Sequence, residues 1–129
     1  MANQVDGPTI TVVLGEAVTA ENTLIKLVSG IGYLTTGVAS EDNALLGIAE
    51  GIGSAGDEIT VRVLNCVASS KVKVAGAITK GAGVYTAASG LGSATATSLT
   101  RVGIAATAAT AANDVIQVIH VAGGNDDLT

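Results

Sequence analysis

Large aromatic side chains are nearly absent from this 129-residue chain, which has no Trp, no Phe and only two Tyr, Tyr33 and Tyr85. Aromatic residues normally supply the largest buried areas of a protein core. A core must therefore be built from Val, Ile, Leu and Ala, each contributing about 25 cal/mol per Å² of apolar surface buried. The same scarcity argues against a stacking platform for nucleic-acid bases or sugars.

Residues suited to catalysis or metal binding are equally scarce. The single Cys66 excludes an internal disulfide, and with one His, His120, the usual zinc frameworks are excluded as well. We expect Cys66 to be a buried structural thiol and His120 to lie at a rim or interface after the last strand. His120 could serve a catalytic serine as its base, but no G-x-S-x-G motif is present. The sequence therefore predicts no enzymatic activity, no metal site and no cofactor.

Positive charge is also in short supply. Six Lys and Arg are scattered against eleven Asp and Glu, which gives a net charge of −5 at pH 7. Nucleic-acid binding depends on clustered cations, so no nucleic-acid partner is expected. No apolar run of about 18 residues predicts a membrane span, and residues 1–10 do not resemble a signal peptide. We therefore expect a protein that folds inside a cell and has no membrane partner.

A mean hydropathy of +0.56 with only 13% charged residues is high for the surface of a monomer. It favours an apolar surface that partner subunits cover. The alternative is that the many small Ala and Gly side chains raise the value.

Short β-branched runs, separated by Gly, Ser, Asn and Asp, dominate what the sequence does contain. They predict strands at residues 10–15, 23–28, 33–39, 58–63, 71–74 and 115–121. Residues 104–112, IAATAATAA, are a candidate helix because Ala is the best helix former. Their first-half counterpart contains three Gly, however, so we expect a strand followed by a loop in both places. The pattern predicts an all-β fold, a small barrel or sandwich with little or no helix.

The sequence also indicates that the chain contains one unit twice. Residues 16–27 match 76–87 and residues 45–59 match 101–115, with these aligned pairs: Ala17-Val18-Thr19 and Ala77-Ile78-Thr79, Leu24-Ile25 and Val84-Tyr85, Gly47-Ile48-Ala49 and Gly103-Ile104-Ala105, Asp57-Glu58 and Asn113-Asp114. Such a unit hides its apolar face against its copy. We predict a flexible arm at 1–9, one β domain at 10–122 built from two β modules (about 10–65 and 70–122), and an acidic tail at 123–129.

A glycine motif between the predicted strands has the form G-x-G-x-x-G, at Gly51, Gly53 and Gly56. In a dinucleotide site this motif must open a helix, whose N-terminus holds the pyrophosphate. Here the predicted strand 58–63 follows instead. We interpret the motif as a hairpin loop.

Two phrases in the second half, Gly76 to Tyr85 and Val102 to Val118, resemble those of the phage head decoration (capsid cement) proteins. The first half carries a weaker version, with Leu24-Ile25 in place of the Val-Tyr pair. The resemblance implies a small all-β body, often a homotrimer, without enzymatic activity or cofactor. It implies binding to the outside of the capsid, where the protein bridges neighbouring subunits of the major capsid protein against the pressure of the packaged DNA.

The resemblance also implies contact with the shell through the N-terminal arm, at Asn3, Gln4, Val5, Pro8, Thr9 and Ile10. Residues 9–13 would suit strand addition to a sheet edge of the capsid, because backbone pairing needs no special side chain. The implied location is the virion, on the capsid exterior, after synthesis in the host cytoplasm. The alternative function is a β-rich binding module of a phage tail or fibre, or of a bacterial surface protein, that recognises a glycan or a protein.

Overall fold

A computed structural model of the chain describes residues 9–38, 40–42, 44–64, 68–96 and 100–120. Most of the predicted arm, Cys66 and the acidic tail lie outside these residues. The described residues form β-strands and no α-helix, which confirms the all-β prediction: β1 Thr9–Val13, β2 Leu24–Val28, β3 Ile31–Leu34, β4 Leu45–Ala49, β5 Glu58–Val63, β6 Ser69–Lys73, β7 Gly83–Thr86, β8 Gly92–Ser93, β9 Arg101–Ala105 and β10 Val115–Ile119.

The strands make two five-stranded sheets, in the orders β1-β5-β4-β2-β3 and β6-β10-β9-β7-β8. All strand pairs are antiparallel. In each sheet the two edge strands approach at one end only, through the isolated bridges Leu14–Gly32 and Val74–Gly92. The described residues therefore form no closed barrel, and the arrangement fits a sandwich.

The two sheets correspond strand by strand, since β1 to β5 and β6 to β10 occupy the same places in the two orders. Ile25 lies opposite Gly47 and Val84 opposite Gly103, and the register shifts directly after Ile25 and after Val84. This is the arrangement that two copies of one unit would produce.

The registers correct the sequence alignment by one residue in two places. Leu24-Ile25 corresponds to Gly83-Val84, and Asp57 corresponds to Asp114. The buried face decides the register, because a slip of one residue would turn every side chain to the opposite side of the sheet. An alignment based on residue identity alone does not take into account which side chains are buried.

The predicted strand 33–39 is wrong in both bounds, because β3 begins at Ile31 and ends at Leu34. Beyond it the backbone N–H groups of Thr36 and Gly37 donate to the Asp42 carboxylate, and Gly37 has a φ of 82°. Both features turn the chain out of the sheet. Residues 104–112 behave as predicted, since β9 ends at Ala105 and a loop follows.

The core is aliphatic, as expected, and it forms two clusters. One belongs to the first sheet alone: Val12, Leu14, Val18, Ile25, Ala49, Ile59 and Val61. The other consists of second-sheet residues joined by Leu24 and Ile48 of the first sheet. Leu24 and Ile25 are neighbours on β2, and both are fully buried because they enter different clusters. The strand β2 is therefore where the two sheets meet.

Candidate functional site: the sheet junction and the outer faces

His120 lies directly after β10, half-buried, where the sequence placed it. Its Nδ1 is 3.3 Å from the Val102 carbonyl oxygen and its Nε2 is 2.5 Å from the Ser70 hydroxyl oxygen. With the proton on Nδ1, the ring donates to the carbonyl and accepts from the hydroxyl. Neither partner is a carboxylate of the kind that orients a catalytic base. Among the described residues no group of three His, Cys, Asp or Glu could hold a metal ion.

The environment of His120 makes a prediction about pH. Burial lowers the pKa of the imidazole, and the hydrogen bond to the Val102 carbonyl offsets this in part. The unfolded chain therefore binds the proton more readily, so the contribution of His120 to stability is complete above its unfolded pKa near 6.5. That contribution is lost as the pH falls through 6.5 towards the lower folded value. Urea unfolding between pH 7.5 and 5 should show a steeper loss of stability for the natural protein than for His120→Gln, and equal slopes would contradict the assignment.

Asp42 is fully buried and holds the two sheets together. Its carboxylate accepts hydrogen bonds from the Thr36 amide (2.9 Å), the Gly37 amide (2.6 Å) and the hydroxyl of Thr86 on β7 (2.7 Å). The Lys26 ammonium, 3.6 Å away and 7% exposed, completes the site. Burial raises the pKa of Asp42, but the hydrogen bonds and the Lys26 charge outweigh it and leave the pKa below its usual value. No local pattern marks Asp42 for this role, because Thr86, its partner in the other sheet, is 44 positions away in the sequence.

Backbone hydrogen bonds join the sheets beside Asp42. The Leu24 amide donates to the Gly90 carbonyl (2.6 Å), and the Gly90 amide donates to the Thr35 carbonyl (3.1 Å). At the other end of the contact, the Lys73 amide on the open edge of β6 donates to the Asn22 carbonyl (2.8 Å). This contact, which we call the internal junction, covers the face of the first sheet that contains Leu24 and Ile48.

Outside the junction, the described residues expose eight large apolar side chains: Ile10, Val13, Val28, Ile31, Val38, Ile52, Val115 and Ile119. Of the six predicted capsid contacts, Asn3, Gln4, Val5 and Pro8 lie outside the described residues. Thr9 and Ile10 begin β1, and Ile10 is 44% exposed. The glycine motif forms the β4–β5 loop and leads into a strand, so the loop lacks the helix that a dinucleotide site requires.

The described segments include no helix with the length and apolar character needed to cross a membrane. A comparison with curated proteins finds no similar sequence. Among solved structures, the fold is similar to that of the head fiber gp8.5 N base of bacteriophage phi29, with a TM-score of 0.65 over 88% of this chain and 92% of that chain. The two are 18% identical, so this similarity concerns the fold alone.

The family model of the phage cement proteins matches residues 4–120, which is most of the chain and includes both sheets. It covers the two phrases on which the resemblance was based. The chain therefore belongs to the phage cement protein family, whose members are structural, capsid-associated proteins of phages.

Proposed function

We propose that this protein binds the outer surface of an assembled phage capsid as a homotrimer and stabilises the shell by bridging neighbouring major capsid protein subunits. The observation that carries the proposal is the cement-family match over residues 4–120. The role is mechanical and involves no cofactor.

The physical properties of the described body are consistent with this role. Its exposed large apolar side chains are all Val and Ile, which lose little rotamer entropy when they are fixed against a partner. Each site on a symmetric shell contributes weakly, but linked sites act together through their effective concentration. The net charge of −5 opposes adsorption to nucleic acid.

We further propose that the arm reaches the shell and contacts it through Asn3, Gln4, Val5 and Pro8. These residues precede β1 in the chain, and β1 is an edge strand of the first sheet. Eight extended residues span at most about 28 Å, which sets the reach of the arm beyond β1.

The test uses expanded heads prepared without this protein. Purified protein should bind them saturably at a fixed copy number, and decorated heads should release DNA at a higher temperature than bare heads. Deletion of residues 2–8 should weaken binding by at least about tenfold, equivalent to about 1.4 kcal/mol, whereas deletion of the tail 123–129 should leave binding unchanged. Absence of binding to any head would overturn the proposal, and binding to a glycan array without capsid binding would favour the tail or fibre alternative.

A further inference from the structure

We propose that copies of this chain associate head to tail, through an interface that repeats the internal junction between its own two sheets. The outer face of the second sheet in one copy would receive β1 and the β2–β3 turn of the next copy. The inference names the surfaces through which the subunits of the proposed homotrimer would contact one another. Its biological meaning rests on the proposed function. It is tested without a capsid, so either proposal can fail alone.

The internal junction is the template. Leu24 and Ile48 of the first sheet are 0% and 2% exposed, and they pack in the core cluster of the second sheet. Two parts of the second sheet cover them: the β6 edge, anchored by the Lys73 amide on the Asn22 carbonyl, and the β7–β8 turn, anchored by the Gly90 carbonyl on the Leu24 amide. Both anchors are backbone groups, so these two hydrogen bonds can form with other side chains at the same positions, whereas the Asp42–Thr86 hydrogen bond is a side-chain contribution to the internal junction.

The outer face of the second sheet has the same strand framework. Superposing the pairings of the two sheets gives the equivalent positions: Gly81 for Asn22, Gly83 for Leu24, Ile104 for Ile48, Ala106 for Glu50 and Ile119 for Arg62. We call Gly81, Gly83, Ile104 and Ile119 the receiving face. Unlike Leu24 and Ile48, its residues are half-buried or exposed, and Ile119 is 46% exposed.

The receiving face would be covered by two elements of the first sheet of the next copy, the ones that correspond to β6 and to the turn with Gly90 in the second sheet. The strand β1 is an edge strand as β6 is, and Val13 pairs with Glu58 as Lys73 pairs with Val115. Because amide directions alternate along an antiparallel strand, the Val13 amide points away from β5, as the Lys73 amide points away from β10. In the next junction this amide would donate to the Gly81 carbonyl of a neighbouring copy.

The turn equivalent to the one that contains Gly90 is Ser29–Gly30, which joins β2 to β3. Its two residues have φ angles of 53° and 80°, and Ser89 and Gly90 have φ angles of 62° and 73°. Gly90 is buried against the first sheet, whereas Gly30 has no atom within 4 Å of the position that a Cβ would take. We call β1 together with residues 28–31 the docking edge.

Five of the eight exposed large apolar residues of the described chain lie on these two surfaces. The docking edge has four of the eight large ones: Ile10 (44%), Val13 (42%), Val28 (48%) and Ile31 (37%). The receiving face has Ile119. Three of the four corresponding residues of the second sheet are smaller or polar, namely Ser70, Lys73 and Ala87, and the fourth is Leu91.

The side chains that line the cleft at the internal junction are mostly polar, whereas those at the equivalent positions between copies are more apolar. The cleft at the internal junction is polar and is lined by an ion pair, hydroxyls and a lysine: Glu50, Arg62, Ser69, Ser70 and Lys71. At the equivalent positions between copies, Ala106 and Ile119 would meet Ile10. Depletion of charge and enrichment of apolar side chains characterise the core of an oligomer interface.

The sizes of the facing residues are also complementary. In the internal junction the Leu24 amide donates to the Gly90 carbonyl, so Leu24 lies beside the turn that follows Ala87. In the proposed interface the receiving face offers Gly83 instead of Leu24, and the turn offers the larger Val28 instead of Ala87. Side-chain volume is therefore lower on the receiving face and higher at the turn, and in the proposed interface the second change would offset the first.

In this proposal Thr9 and Ile10 contact a second copy and not a sheet edge of the capsid. The reason is that each copy has a receiving face equivalent to the face that β6 and the β7–β8 turn cover within the chain. Such an interface uses two different surfaces of each copy, so it closes into a ring or continues as a filament. A trimer would be a ring of six equivalent sheets, in which internal and intermolecular junctions alternate.

Cysteine cross-linking tests the pairing directly, in a Cys66→Ala background. Val13→Cys and Gly81→Cys would form a disulfide between copies, and Lys73→Cys with Asn22→Cys in one chain is the matched control for the same geometry within a copy. Neither Val13→Cys nor Gly81→Cys alone should cross-link. Co-expression of the two should give a covalent dimer, and a chain with both substitutions should give a ladder that ends at the closed ring. A disulfide between two Val13→Cys chains would overturn the proposal. So would a disulfide in the Lys73→Cys, Asn22→Cys control together with no disulfide between Val13→Cys and Gly81→Cys.

A second experiment measures mass by light scattering and needs no engineered thiol. The natural protein should have a discrete mass that is a multiple of 12.5 kDa. Ile119→Glu should raise the dissociation constant of the oligomer by at least tenfold, while far-UV circular dichroism stays unchanged. Ile52→Glu is the control, since Ile52 is 61% exposed and lies on neither surface. A monomeric natural protein would refute the inference. So would an Ile119→Glu variant that keeps its mass and loses only capsid binding, which would assign this face to the shell.

Discussion

Asp42→Ala is expected to lower the free energy of unfolding by about 3–5 kcal/mol, the usual cost of removing one partner of a buried ion pair. The Lys26 ammonium, 7% exposed, would remain in the junction without its carboxylate. The Thr36 and Gly37 amides and the Thr86 hydroxyl would lose their acceptor at the same time. Urea unfolding followed by circular dichroism measures the change.

Asp114→Ala is the matched control for this substitution. Asp114 also accepts backbone hydrogen bonds, from the amides of Thr110 and Ala111, but it lies in an exposed turn and forms no ion pair within the described part of the chain. Its replacement should cost much less than that of Asp42. Equal losses in the two variants would show that burial and the Lys26 partner contribute little, and a double variant with Lys26→Met should recover part of the Asp42→Ala loss.

The same site gives a pH dependence with a defined sign. Because the folded pKa of Asp42 is lowered, the unfolded chain binds the proton first as the pH falls. The stabilisation is present above the unfolded pKa near 3.9 and is lost as the pH falls through the folded pKa. Acid unfolding of the natural protein below about pH 4 should therefore be steeper than that of Asp42→Asn.

Gly47→Ala is expected to destabilise the protein by about 3 kcal/mol or more, at the upper end of the effects of overpacking. A Cβ at this position would overlap the backbone carbonyl oxygen of Arg62 on the neighbouring strand β5. A rotamer change cannot relieve that clash, so the two strands would have to separate. Gly103 is in the equivalent position against the carbonyl oxygen of Ile119, and Gly103→Ala should have the same effect.

Gly51→Ala is the control, because a Cβ there meets no atom within 4 Å and the backbone φ does not lie in the left-handed region. We expect it to be neutral or to stabilise the protein by up to about 1 kcal/mol, through the reduced entropy of the unfolded chain. Thermal unfolding of the three variants would separate the two classes of glycine. A Gly47→Ala variant as stable as Gly51→Ala would contradict the close approach of β4 and β5.

The repeated phrase Gly-Ile-Ala now has a physical explanation. In both copies the Gly permits the approach of the neighbouring strand, and the Ala packs in the core of its own sheet. The Ile lies on the outer face, where Ile48 is covered by the second sheet and Ile104 is half-buried. The letters of the phrase therefore match, although the surroundings of the two Ile residues differ.

Local pattern alone determined the aliphatic, all-β character of this protein, the strand 58–63, the loop after Ala105 and the family, because alternation of side chains and turn residues are properties of a few consecutive positions. The tertiary structure decided the register between the copies, the early end of β3, and the burial of Asp42 and Lys26. Each of these features depends on a partner that is distant in sequence. The alignment between the copies shifts by one residue because the buried face fixes the strand pairing. Asp42 is a junction residue because Thr86, on the other sheet, donates a hydrogen bond to it. The same distinction separates Ile48 from Ile104, whose neighbours along the chain are alike and whose neighbours across the sheets are not.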